Sequence, residues 1–171
     1  MGADAGAIAR LSRLLVDGRV DAKALDERRN EIALLLEREQ QGLVLSRSDL
    51  LVLGVNLHAY YTALETLLER VARLVDEEVP TGANWHRELL LQMRIQLPGL
   101  RPRVVPAEMI PNLDELRKFR HFFRNAYVLD LDSGKTLAHA RRVLEVHAPT
   151  SQGIAELFRH LEAVVLTLAK T

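Results

Sequence analysis

Apolar residues in this chain recur at spacings of three and four, and nowhere do they alternate with period two for long enough to make a strand. That periodicity restricts the chain to packed helices. Ile8, Leu11, Leu14 and Leu15 mark a first helix over about residues 3–17, which Gly18 is expected to close. Leu25, Ile32, Leu35 and Leu36 mark a second from about Asp21 to Gln41, ended by Gly42. "SRSD" (46–49) offers Ser and Asp caps to a long helix reaching about Glu78, where Pro80, Thr81 and Gly82 break it. A shorter helix is expected over Trp85–Leu97. The segment 98–111 holds four of the six prolines and predicts a loop with one turn. A further helix runs from Pro111 or Asn112 to Tyr127, with Asp114 and Glu115 in its first turn, where the helix dipole favours acidic groups. "LDSG" (131–134) predicts a turn, and helices over 135–146 and 150–170 complete the chain. The expectation is one all-α domain over 1–171, an up-and-down bundle of six or seven helices. In it, 1–41 supplies the N-terminal helices, 112–127 the helix that carries the arginine-rich stretch and 150–171 the C-terminal one.

Formal net charge is zero, so no global field draws in nucleic acid or anionic membrane, and any such contact must come from a local patch. The absence of cysteine removes disulfides, thiolate catalysis and thiolate metal sites, and fits a reducing cytoplasm. The first residues, MGADAGAIARL, lack the basic region and apolar run of a signal peptide. The uncharged run Leu50–Leu64 is too short to cross a bilayer, which takes about 20 residues. It predicts a buried helix instead.

Several local patterns fail on chemical grounds. "SGKT" (133–136) resembles the end of a phosphate-binding loop, but position 129 is leucine where that loop needs glycine, so a helix start is expected. "HRE" (86–88) has the H-x-E form of zinc deaminases without the cysteine pair that completes the metal site. His139 and His147 are eight apart, which suits no ordinary metal spacing, and are expected at the surface. Asp76–Glu78 is expected to solvate a helix end. In "LHAYYTALETLLERVARLV" (57–75), Tyr60 and Tyr61 lie near His58 and Glu65 on adjacent turns. The helix is either core with hydroxyls at its rim, or a cleft wall to which Tyr61 or Glu65 contributes.

The pattern with most chemistry is "RKFRHFFRNAY" (117–127). At about 100° per residue, Leu116, Phe119, Phe123 and Ala126 form one stripe, with Tyr127 at its edge. Arg117, Arg120, His121 and Arg124 fall on the next sector, with Asn125 one turn beyond His121. The strip is either a solvated face whose arginines pair with Asp114 and Glu115, or a site for an anion. Like charges one turn apart repel, and guanidinium forks match phosphate. Together with a histidine that titrates near neutrality, they suit metal-free cleavage of an RNA phosphodiester.

"FRHFFRNAY" after "LDELRK", with "PTGANWHRELLLQM" (80–93) and "LHAYYTALETLLERVARLVD" upstream, resembles the HepT-like branch of the HEPN superfamily. The likeness spans roughly residues 30–146 and is most specific at 80–93 and 113–127. It implies a small helical bundle working as a homodimer, in which two motif helices build a metal-independent ribonuclease site with no cofactor. It also implies a toxin silenced by a minimal nucleotidyltransferase antitoxin that transfers AMP to a tyrosine just after the motif. The family's arginine falls on Arg120 and its tyrosine on Tyr127. Its histidine position holds Asn125, which cannot shuttle protons. Three readings follow: His121 supplies the imidazole, the chain is a non-catalytic HEPN binding module partnering a nucleotidyltransferase, or Asn125 disarms a toxin. On the first, Arg120, His121 and Asn125 form the catalytic set, Arg117 and Arg124 bind RNA, and Tyr127 accepts AMP. A plain structural bundle is the remaining alternative.

Overall fold

A computed structural model describes residues 2–125 and 131–170, with side chains described from residue 5. Among these residues the fold is all-α, with no strand and five helices: α1 (Gly2–Gln40), α2 (Arg47–Val71), α3 (Trp85–Met93), α4 (Ile110–Asn125) and α5 (Ser133–Leu168). Five replaces the expected six or seven because two expected breaks do not occur. α1 runs straight through Gly18, where the missing Cβ makes room for the Phe158 ring. A Cβ there would lie 3.0 Å from two ring carbons, so the glycine serves helix packing rather than chain reversal. α5 likewise continues through Pro149. The proline lacks one amide hydrogen, but buried Val146, Thr150 and Ile154 hold the helix against the core on both sides of it.

The starts of α2 and α5 follow from local caps. Ser46 caps α2 by accepting from the Asp49 amide at 3.1 Å, and Asp49 accepts from the Ser46 amide at 2.9 Å, closing a capping box. Hydrogen bonds from Ser46, then Arg38, hold the Asp49 carboxyl down at about 2. Asp132 caps α5 by accepting from the Lys135 amide at 2.7 Å, so "SGKT" is a helix start as expected.

α1 lies antiparallel to both α2 and α5. Ion pairs mark both seams: Arg38 with Asp49 and Arg70 with Asp17 and Asp21 on one, Arg141 with Glu39 and Arg19 with Glu162 on the other. Leu14, Leu25, Ile32 and Leu36 of α1 join Leu53, Leu57, Leu64 and Leu68 of α2 and Val143, Val146, Leu157 and Leu161 of α5 in one core. Leu50–Leu64 buries only one face, since Val52 and Val55 are exposed. No helix among the described residues is long and apolar enough to cross a membrane.

α2 ends in a single π turn, Ala72–Asp76, stopped by Glu77 in the left-handed region at φ 55°. Asp76 does not solvate the helix end as expected. Its side chain is only 3% exposed and pairs bidentately with buried Arg101, at 2.5 and 2.7 Å. Arg101 also donates to the carbonyls of Ile95, Gln92 and Pro102. This clamp folds the proline-rich segment back onto the end of α3. α3 is shorter than expected, because Leu97 and Arg101 bond to each other across a tight turn.

That segment also touches α5. A Cβ on Gly153 would lie 2.1 Å from the Val104 carbonyl oxygen, and backbone on both sides leaves little room for relief. Gly153→Ala should therefore cost about 2 kcal/mol as overpacking. The melting temperature should fall by about 4–8 °C at 2–4 °C per kcal/mol for a chain of this size. A thermal melt unchanged from wild type would show that α5 and this segment separate freely.

Candidate functional site

α4 packs antiparallel to α2. Gly54 faces Phe123 at one end, and Tyr61 lies near Arg117 and Asp114 further along. Leu116 and Phe119 fill the core side as expected, joined by Leu113, while Phe122 is exposed. Gly54 permits the close approach: a Cβ there would meet the Phe123 ring at 2.7 Å and Leu131 at 2.9 Å.

The charged strip divides into two groups. Arg120 is not on the exposed strip. It turns inward, with its side chain 12% exposed, and pairs through Nη2 with Glu65 Oε1 at 2.9 Å. Its wheel position beside Leu113 points it at α2, and helical side chains lean toward the N-terminus of their own helix, which carries the guanidinium away from Asn125. Arg117 is tied to Asp114, Nε to Oδ1 at 2.8 Å. His121, Arg124 and Asn125 are exposed. Asn125 donates through Nδ2 to the His121 carbonyl at 2.8 Å, and the same nitrogen lies 3.5 Å from His121 Nε2. Ala126 and Tyr127 lie outside the described residues.

Glu65 is the hub. It is 6% exposed, a rare environment for a carboxylate without partners. Its second oxygen, Oε2, accepts from Nδ1 of His86 at 2.7 Å. One buried carboxylate therefore joins the arginine of α4 to an imidazole at the start of α3. Trp85 stacks on His86, with ring centroids 3.7 Å apart and planes 29° apart. Arg120 Nε is buried with no hydrogen-bond partner among the described residues. A buried N–H of a charged group left in this way is costly.

Two further α2 groups border the hub. Burial raises the Tyr61 hydroxyl well above the usual phenol range, and the Glu65 charge adds to it, so Tyr61 stays protonated. Burial, then the nearby charges of Arg120 and Arg124, lower His58, which packs on Phe123 with centroids 5.6 Å apart. His58 is therefore neutral near pH 7.

His139 and His147 are half-buried rather than at the surface. His139 packs on Phe119, and Tyr60 and Asp26 hold the two nitrogens of His147 at 3.3 and 3.1 Å. A cleft of about 350 Å³ between α4 and the start of α5 includes Phe119, Phe122, Lys118, Lys135 and His139, on the opposite flank of α4 from Arg120.

Of the residues expected from sequence to act together, the fold keeps His121 and Asn125 adjacent and sends Arg120 elsewhere. Glu65 was visible as a cleft candidate on α2. His86 was not, because its only sequence signal was an incomplete metal motif, although it sits in one of the two segments most typical of the family likeness.

A family profile described as HepT-like protein matches residues 52–161, which takes in the α2–α4 hub and most of α5. The chain belongs to the HepT-like family of the HEPN superfamily. Comparison with curated proteins gives no match, and comparison with solved structures gives none.

Proposed function

We propose that this HepT-like chain is the toxin of a toxin–antitoxin pair, a metal-independent endoribonuclease acting in the cytoplasm as a homodimer. Its substrate is single-stranded or looped RNA, whose splayed backbone an arginine fork can reach. The observation that carries this reading is Arg120, held by the Glu65 carboxylate beside an imidazole, with Arg124 exposed further along the same helix. In this reading Arg120 steadies the charge that grows on the phosphate, and Arg124, which forms no ion pair among the described residues, steers RNA. Arg117 contributes through its field while bound to Asp114. His121 and Asn125 border the site. A minimal nucleotidyltransferase silences the toxin by transferring AMP to Tyr127.

A second reading is favoured by Asn125. Its amide donates to the His121 carbonyl, and an amide does not titrate, so it cannot relay a proton. On this reading the chain is a non-catalytic HEPN binding module partnering a nucleotidyltransferase.

One assay separates the two. Purified wild type, Arg120→Ala and Asn125→His are incubated with total RNA, and growth is followed on expression. Cleavage by wild type but not by Arg120→Ala supports the ribonuclease. Cleavage by Asn125→His alone supports the disarmed or binding-only reading. Mass analysis after incubation with the nucleotidyltransferase and ATP should place one AMP on Tyr127, and an unmodified Tyr127 would remove the proposed silencing.

A further inference from the structure

We propose that His86 is the general base of this site, taking the 2′-hydroxyl proton of RNA in place of the histidine that Asn125 replaces. The inference rests on the ribonuclease reading and names a residue outside the motif helix.

Three histidines lie near Arg120 or on its helix, and they differ in how they are held. His121 is exposed, and its side chain lies 3.5 Å from the Asn125 amide nitrogen. His58 leans on Phe123 beside Arg120 and Arg124, with no carboxylate partner among the described residues. His86 alone shares a carboxylate with Arg120. Because the Glu65 carboxylate accepts a hydrogen bond from Nδ1, the neutral ring carries its hydrogen there and presents Nε2 as a lone pair. Among the described residues nothing bonds to Nε2, and the side chain is 24% exposed, enough to meet a substrate. Trp85 fixes the ring plane from one side. A carboxylate that orients an imidazole and stabilises the imidazolium it becomes is the arrangement that general-base histidines use in other folds.

The reaction balances without a co-reactant. The 2′-oxygen bonds to phosphorus as the bond from phosphorus to O5′ breaks. The 2′-proton passes to His86 Nε2, and O5′ leaves with a proton from solvent. The products are a 2′,3′-cyclic phosphate and a 5′-hydroxyl, and the imidazolium later returns its proton to water. Arg120, joined to the same carboxylate, stands beside the phosphate while its charge rises.

The test uses the full chain and a labelled single-stranded RNA under single-turnover conditions. His86→Asn keeps an N–H where Nδ1 was, so Glu65 stays satisfied and the fold survives, but proton transfer is lost. Its cleavage rate should fall about 10²–10³-fold, the usual worth of a general base, with RNA affinity unchanged. His86→Ala should lose as much and recover part of it when imidazole is added, a rescue that a purely structural role would not give. His58→Ala should cut within a few-fold of wild type. Cleavage by His86→Asn at the wild-type rate, or loss in His86→Ala that imidazole cannot restore, overturns the assignment. If wild type cuts and Arg120→Ala does not while His86→Asn still cuts, only this assignment falls. If wild type cuts no better than Arg120→Ala, the ribonuclease reading falls and takes this one with it.

Discussion

Arg101→Ala should be the most damaging single substitution in this chain. Arg101 and Asp76 have side chains 0% and 3% exposed, joined bidentately, and the guanidinium also satisfies three backbone carbonyls. Truncating it strands the Asp76 carboxylate away from water. Breaking one side of such a pair costs about 3–5 kcal/mol, mostly through the charge left behind. The melting temperature should fall by about 6–20 °C, at 2–4 °C per kcal/mol. The double substitution Arg101→Met with Asp76→Leu removes both charges and should recover much of the loss, because an apolar pair of similar size is often as stable as a buried ion pair. Circular-dichroism melts of the three proteins decide it. An Arg101→Ala melt within a degree or two of wild type would mean that the clamp is solvated in solution. The effect reaches the candidate site through geometry, since the clamp fixes the end of α3, whose first turn carries Trp85 and His86.

Glu65→Ala comes second, and its effect is divided between fold and site. Removing the carboxylate leaves Arg120, 12% exposed, without an anion and His86 without an acceptor for Nδ1. The cost should be about 3 kcal/mol, at the lower end for a buried pair because Arg120 keeps some access to water. That corresponds to a fall of about 6–12 °C. Glu65→Gln keeps an oxygen for one partner and should lose less. In a double-mutant cycle with Arg120→Met, the combined loss should be smaller than the sum, with a coupling above 0.5 kcal/mol, as contacting charged residues give. Additive losses would place Glu65 and Arg120 apart in solution and dissolve the hub. Cleavage should be lost in Glu65→Ala even at temperatures where it stays folded, because neither the arginine nor the imidazole is held.

Much of this was legible from local chemistry. The three-and-four spacing of leucines gave the helices and the class of fold. Ser46 and Asp49 mark the start of α2, and "SGKT" the start of α5, whose cap, Asp132, only the structure shows. The core side of α4, Leu116 and Phe119, followed from angle alone. Sequence and structure part at residues whose local meaning is overruled from a distance. Gly18 is a helix stop by propensity, yet Phe158, 140 residues later, occupies the space its side chain would need. Asp76 looked like a solvated helix end until Arg101, 25 residues on, took it inside. His86 looked like part of a failed metal motif, and Glu65, 21 residues earlier, makes it half of a carboxylate–imidazole pair.

The motif helix shows the same division within one element. The sequence by itself determined that an amphipathic helix starts near Pro111 or Asn112 and carries aromatics on one side and arginines on the other, because helix periodicity and side-chain type are local properties. It did not determine which arginine faces water. Arg120 lies at the border of the two faces, where either solvent or a buried anion could hold it. Only the tertiary fold, by bringing the Glu65 carboxylate of α2 within 2.9 Å, turned it inward and set an imidazole from α3 on the other side of the same carboxylate. The physical reason is that a buried charge takes its position from the partner that compensates it, and that partner comes from elsewhere in the chain.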